Sequence, residues 1–227
     1  MKIRFRLLPN LLKICVLGLL CPIALGGMIT MDSSWGAEAD RERWNKKYET
    51  ERYVFGRDPI PFLTDHVDLL PKGAALDLAM GEGRNGVFLA TKGFQVTGVD
   101  ISEAGFNKAR ALASENGVDL TTVVADLEQY TIPPNIFDVI LCTYYLQRDL
   151  FPKMAATLKP GGMILIETYT MDHLRYRPQF NREYLLERNE LLTLLPGLRV
   201  LRYQEVDTGQ EAFASILAQK PVEAIRQ

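Results

Sequence analysis

The segment Leu76-Asp77-Leu78-Ala79-Met80-Gly81-Glu82-Gly83-Arg84-Asn85-Gly86 constrains this 227-residue chain more than any other. An apolar run holding one carboxylate meets glycines spaced G-x-G-x-x-G and then a helix-forming stretch. Glycine at a strand end lets the backbone turn sharply and lets a ligand approach where a Cβ would clash. The helix that follows aims its free N–H groups at that ligand. The glycine spacing by itself is weak evidence, because such patterns arise in many turns. Asp77, four residues before Gly81 and inside the strand, carries more. A buried, unpaired carboxylate costs on the order of several kcal/mol. A ligand ammonium or the turn's own N–H groups would offset that cost, whereas a pyrophosphate would repel the charge.

Apolar strands and helices alternate around this turn. Strands are expected at Ala74–Ala79, Phe94–Val99, Leu120–Val124, Phe137–Cys142 and Met163–Thr168. Between them lie helices at Arg84–Lys92, closed by Gly93, from Ser102 as N-cap to Asn116-Gly117, and at Leu146–Leu158. Lys159-Pro160-Gly161-Gly162 reads as a turn into the fifth strand. The alternation specifies an α/β domain, a Rossmann-like doubly wound parallel sheet covered by helices on both faces. Arg182–Leu195 reads as a further helix. Arg199–Val206 and Ala212–Ala218, joined through Asp207-Thr208-Gly209, read as antiparallel neighbours because the connection is so short. Ahead of the sheet, residues 40–72 form a helical cover to a domain spanning 40–220. Trp44 and Tyr48 share one helical face there, and Pro59 and Pro61 break the chain.

Two further acids follow strand ends. Asp100 closes Val96-Thr97-Gly98-Val99-Asp100, where a carboxylate accepts both hydroxyls of a ribose. Asp126, in Val124-Ala125-Asp126-Leu127, is placed either to accept from an adenine amino group, with Leu127 on the ring, or to serve as a helix cap or solvated loop residue.

Residues 1–39 are a separate problem. Lys2, Arg4, Arg6 and Lys13 precede an uncharged stretch from Ile14 to Met31, and Ala37-Glu38-Ala39 offers the small residues a signal peptidase reads. The segment is read as a secretory leader, or as an anchor making membrane contact through residues 11–31. A start at Met28 or Met31 would leave a cytoplasmic catalytic domain instead. Cys15 and Cys21 lie in this segment, which leaves Cys142 alone in the body. With only His66 and His173 besides, a metal cluster is not expected. A net charge of −2 supplies no field to gather nucleic acid, and a small-molecule partner fits better.

The ordered series Leu76–Gly83, Val96–Asp100, Ala125-Asp126, Phe137-Asp138-Val139-Ile140 and Leu158-Lys159-Pro160-Gly161-Gly162 resembles the motifs of class I S-adenosylmethionine (SAM)-dependent methyltransferases. Gly83-Arg84-Asn85, and the ending in which Phe180–Leu191 leads to the final strand pair, resemble the tellurite-resistance and thiopurine-methyltransferase-like group. The resemblance implies a seven-stranded sheet whose last strand is antiparallel. It implies SAM contacts at Asp77, Gly81, Glu82, Gly83, Asp100, Ile101, Asp126, Leu127 and Cys142. Arg84 and Asn85 would begin the helix under the cofactor, and Trp44, Tyr48, Phe55 and Gly56 would cover it. Ala79-Met80 departs from the pattern, since relatives often carry Gly-Cys or similar small residues there.

Methyl transfer from a sulfonium is an in-line displacement in which the protein positions and desolvates the reactants. The acceptor pocket is expected outside the carboxyl ends of the fourth and fifth strands, near Tyr144, Tyr145, Gln147, Arg148, Tyr169, His173, Arg175, Tyr176 and Arg177. His173 or Arg175 is expected to contact the small-molecule acceptor or its departing proton. Cys142 ends an apolar strand with no adjacent His and reads as structural or cofactor-adjacent. Two rival readings are a nicotinamide-dependent oxidoreductase and a non-catalytic exported module that binds an adenosyl ligand. The first predicts no carboxylate at Asp77 and leaves Lys159–Gly162 unexplained.

Overall fold

The structure, a computed structural model, describes residues 33–222. Apolar runs of strand length form β1 (Ala74–Leu78), β2 (Gln95–Asp100), β3 (Thr121–Val124), β4 (Phe137–Thr143), β5 (Leu158–Tyr169), β6 (Arg199–Asp207) and β7 (Ala212–Gln219). They make one seven-stranded sheet in the order β3-β2-β1-β4-β5-β7-β6. The first five strands are parallel, and β7 alone runs antiparallel, inserted between β5 and β6. The chain winds outward from β1 to β3 through α3 (Arg84–Thr91) and α4 (Glu103–Glu115), then returns to the other side of β1 with β4. That reversal between β1 and β4 opens a crevice at the strands' carboxyl ends.

The strands are apolar on both faces, as a doubly covered parallel sheet requires. Leu76, Leu78, Ile140, Ile164 and Ile166 pack with Leu150, Phe151 and Met154 of α5 (Leu150–Thr157) and Leu191 of α6 (Glu190–Thr193). On the opposite face Ala75, Leu141, Leu165 and Leu217 meet Phe62 and Leu63 of α2 (Pro61–His66) and Leu89 of α3. Outside α4 lies α1 (Ser33–Tyr48), tied to it by Asn45, whose Oδ1 accepts from the Ser102 hydroxyl at 2.7 Å and the Ala104 N–H at 3.1 Å. Ser102 in turn accepts the Gly105 N–H at 3.1 Å, so the expected N-cap also holds α1.

Three expectations are corrected. The helix expected from Leu146 begins at Leu150, because Tyr144 turns the chain into the left-handed region (φ +56°) and delays helix entry. Lys159–Gly162 is not a turn ahead of β5 but an irregularity within it: Phe137 pairs with Leu158 while Val139 pairs with Met163. The helix expected over Arg182–Leu195 is broken. Only a 3₁₀ turn at Arg182–Tyr184 and the short α6 form, with Leu186 bridged to Thr170 between them. Arg148 explains this, since its guanidinium donates to the carbonyls of Glu183 and Leu185, each at 2.9 Å, and pairs with Glu190. Those tertiary bonds replace the helical ones.

Cys15, Cys21, the 11–31 stretch and most of the leader expected over residues 1–39 lie outside the described residues. Ala37-Glu38-Ala39 lies within α1. Among the described residues no helix is long and apolar enough to cross a membrane, and no group of three or more His, Cys, Asp or Glu is arranged to hold a metal ion.

Candidate active site

The glycine turn forms as its residues require. Gly81 (φ +55°) and Gly83 (φ +85°) occupy left-handed backbone. A Cβ on Gly81 would lie 2.8 Å from the Tyr48 hydroxyl, and one on Gly83 would lie 2.6 Å from the Ala109 Cβ. The unusual Ala79-Met80 is accommodated at two places. Ala79 takes a left-handed φ of +55° at the cost of strain, and the Met80 sulfur fills the space a side chain at Gly98 would need.

The carboxylates beneath the turn have distinct jobs. Asp100 accepts the Gly81 N–H at 2.8 Å on one oxygen and the Ser102 N–H at 2.9 Å on the other, holding the turn against β2. Burial raises its pKa, and the N–H groups of Ser102, Gly81 and Ile101 oppose the rise. Asp77 lies beneath α3, and its Oδ2 has no hydrogen-bond partner among the described residues. Burial foremost, then the neighbouring Asp100, pushes its pKa well above the usual carboxylate range, while Gly86 N–H and Arg84 act the other way. Asp126 accepts from the Glu128 N–H and the Gln129 amide at 3.0 and 3.2 Å, shaping the loop after β3.

Above the turn, α1 and the segment after it form an aromatic wall. Trp44 stacks on Tyr48 at 5.5 Å between ring centroids, and Phe55 meets Tyr48 edge-on at 6.3 Å. Glu82 points its carboxylate at this wall, accepting from Val54 N–H (3.1 Å), Phe55 N–H (3.2 Å) and the Lys108 ammonium (2.8 Å). Arg84 donates to the Phe55 carbonyl at 2.8 Å, and Asn85 joins the Ile60 N–H to the Thr143 hydroxyl, each bond at 3.0 Å.

Turn, acids and wall enclose one open cleft of about 940 Å³ of empty space. Of the residues expected at the cofactor, Trp44, Tyr48, Phe55, Gly56, Gly81, Glu82, Gly83, Arg84, Asn85, Asp100, Ile101, Asp126 and Leu127 line it. Asp77 and Cys142 lie beneath and outside the lining. The Cys142 thiol donates to the Tyr145 carbonyl at 3.7 Å, and burial pushes its pKa up, the opposite of an activated nucleophile.

On the acceptor side the cleft is walled by Thr143, Tyr144 and Tyr145. Tyr144 donates its hydroxyl to the buried Glu167 at 2.9 Å, and Ser215 donates to the other Glu167 oxygen at 2.7 Å. Burial raises the Glu167 pKa against these bonds. His173 and Arg175 do not line the cleft. His173 is buried and stacked on Tyr169 at 3.9 Å, with Tyr169 between it and Tyr144. Arg175 is exposed and paired with Asp172 and Asp207. Gln147, Arg148, Tyr176 and Arg177 are also outside the lining. Sequence reasoning missed Asn45, Lys108, Thr143 and Glu167, and only Glu167, a carboxylate closing an apolar strand, left any local signal.

Residues 75–162 match the family described as a methyltransferase domain. A ubiquinone biosynthesis O-methyltransferase of Idiomarina loihiensis is 34% identical over 115 residues, 48% of this chain and 47% of that protein. The homologous enzyme of Stutzerimonas stutzeri is 29% identical over 66% of this chain and 68% of its own length. The chain thus spans about half the length of several curated relatives it matches. Among solved structures, TehB from Haemophilus influenzae superposes with a TM-score of 0.60 at 23% identity, covering 79% of this chain and 66% of TehB. Geranyl diphosphate C-methyltransferase from Streptomyces coelicolor, solved with S-adenosyl-L-homocysteine, superposes with a TM-score of 0.62 at 16% identity, covering 81% of this chain and 97% of that one. The glycine turn and the acids after β2 and β3 thus fall within residues 75–162, the stretch similar to a methyltransferase domain, and the seven-stranded sheet has the fold of the solved methyltransferase structure it superposes on.

Proposed function

We propose that this protein is a SAM-dependent methyltransferase acting on a small-molecule acceptor. The observation that carries the reading is the cleft itself, a bend whose glycines, Gly81 and Gly83, present bare backbone, flanked by Asp100 and Asp126 at successive strand ends. Asp100 would hold the ribose, Asp126 and Leu127 the adenine, and the Gly81–Gly83 backbone the amino-acid tail. Asp77, beneath the turn with an unpartnered oxygen, would be drawn toward its charged form by a cationic ligand and away from it by a pyrophosphate. The bound cofactor supplies an electrophilic methyl group and a good leaving group. The chain's residues orient the acceptor and exclude water, with Trp44, Tyr48 and Phe55 closing one side.

On the acceptor side the reading assigns Tyr144 and Arg84 to the wall. His173 and Arg175 stand behind it, and His173 reaches an acceptor only where Tyr169 gives way. The ubiquinone biosynthesis relatives are named as O-methyltransferases, which favours oxygen as the acceptor atom. Residues 1–39 are read as a leader or anchor. Cleavage after Ala39 would remove none of the described lining residues, the first of which is Asp40, and sequencing the natural protein's N-terminus tests this.

A melt with S-adenosylhomocysteine tests the function. Ligand at a hundred times its dissociation constant adds about 2.7 kcal/mol of stability. No shift with S-adenosylhomocysteine, or an equal shift with NADH, overturns the reading.

A further inference from the structure

We infer that Glu82 and Lys108 are a positioning pair: their ion pair seats the aromatic wall on the glycine turn, so cofactor affinity depends on it although both Glu82 oxygens are taken by protein donors. The inference rests on the cofactor reading above and adds the residues that control it.

Glu82 stands between Gly81 and Gly83, in the bend that would hold the cofactor's tail. Its side chain is 3% exposed, and that of Lys108, on α4, is 15% exposed. Both Glu82 oxygens are taken, by the N–H groups of Val54 and Phe55 and by the Lys108 ammonium. Lys108 spends its remaining donors on the same segment, giving one to the Arg52 carbonyl at 2.7 Å and one to the Thr50 hydroxyl at 3.1 Å. The Lys108 carbonyl accepts the Tyr53 hydroxyl at 3.0 Å. Every side-chain hydrogen bond of this pair outside itself therefore goes to residues 50–55, the strap that carries Phe55 to the cleft.

Beyond the pair, the strap is held by the Arg84 bond to the Phe55 carbonyl, by Tyr53 packed on the Val87, Leu112 and Ala113 cluster and by the Arg57–Glu115 ion pair at its far end. Residues 49–52 and 54–58 are exposed, without regular structure, and Phe55 remains 43% exposed while lining the cleft. A buried carboxylate left without its cation is strongly destabilising. Here the carboxylate belongs to the turn, the cation to α4 and the N–H donors to the strap. Loosening the strap unpairs a buried charge inside the ligand-binding bend, and shifting the bend releases Phe55. Such charge-assisted bonds are stronger than neutral ones, which makes wall and turn one unit.

Isothermal titration of S-adenosylhomocysteine into the full chain tests the pair. Glu82→Gln and Lys108→Met should each weaken binding about tenfold, or about 1.4 kcal/mol. The double variant should be no weaker than the worse single one, because the pair acts jointly. Lys108→Arg should stay near wild type. In a Trp35→Phe background Trp44 is the only tryptophan, and its emission should respond to ligand in wild type but not in Glu82→Gln. Tyr53→Phe leaves the buried pair intact, should cost two- to threefold, and serves if the charge variants do not fold. Wild-type affinity in Tyr53→Phe, or in whichever of Glu82→Gln and Lys108→Met folds, overturns the inference even if melting temperatures fall. If the wild-type protein itself binds no S-adenosylhomocysteine, the cofactor reading has failed, and the inference with it.

Discussion

The cofactor wall and the acceptor wall of the cleft are built on opposite plans. Around the glycine turn, Asp100, Glu82 and Asn85 accept from the N–H groups of Gly81, Ser102, Val54, Phe55 and Ile60. Backbone donors are fixed by the fold, so this wall depends on few neighbouring side chains, chiefly Lys108 on Glu82. On the acceptor side, and in the layer behind it that does not line the cleft, the bonds run from side chain to side chain: Tyr144 and Ser215 to Glu167, Tyr169 to Glu211, Arg175 and Tyr176 to Asp207. Aromatic rings of Tyr144, Tyr169, His173 and Phe180 stack among them. A wall of that kind changes shape with a few substitutions. On the proposed function, the first plan would serve cofactor recognition and the second acceptor choice.

The contrast is broken most severely at the turn. Gly81→Val adds a side chain where a Cβ alone would lie 2.8 Å from the Tyr48 hydroxyl, on backbone with φ +55°. It should weaken S-adenosylhomocysteine binding by about a hundredfold or more, or about 2.7 kcal/mol by titration calorimetry. Retained affinity would show that the bend is not the ligand's seat.

Asp77→Asn sharpens the comparison by separating stability from binding. The folded pKa of Asp77 is raised, so the native state holds its proton more tightly than the unfolded chain does. Its stability contribution therefore improves as pH falls from the raised folded pKa toward the unfolded value near 3.9. The variant should be more stable than wild type at neutral pH by about 1–3 kcal/mol in urea titrations, gain less on acidification, and bind S-adenosylhomocysteine more weakly. Lower stability at neutral pH would mean that the carboxylate is satisfied in the apo protein.

Across the cleft, Tyr144→Phe takes one of two hydroxyl donors from Glu167 and should cost about 1–2 kcal/mol of stability. Cofactor affinity should be unchanged. On an acceptor that the wild type turns over, it should reduce methylation more than His173→Ala. The reverse order would move acceptor contact from the cleft wall to the 169–180 loop.

Lys159→Met, at the irregularity in β5, sets the smallest effect. Lys159 and the Ala74 N–H outweigh burial and lower the Asp138 pKa. That stability is present above the unfolded value near 3.9 and lost as pH falls through the lowered folded one. The pair is partly exposed, so the loss should be below about 1 kcal/mol in urea titrations, with cofactor affinity untouched.

Much of this was legible in the chain. Strand–helix alternation fixed the doubly wound sheet, the Asp207–Gly209 turn fixed the antiparallel pair, and Gly81, Gly83, Asp100 and Asp126 announced the cleft, because each depends on local periodicity or on backbone that only glycine readily adopts. Tertiary structure decided the rest. Arg148, reaching carbonyls of Glu183 and Leu185, broke a segment whose own pattern was helical. Glu82 turned out to face the strap, through Lys108, twenty-six residues away. His173 lay behind Tyr169 although its loop is rich in polar and aromatic groups. Sequence alone sets which conformations each segment prefers. Which buried charge meets which distant donor is settled only when the layers pack, since the cost of leaving either unpaired exists only in the folded interior.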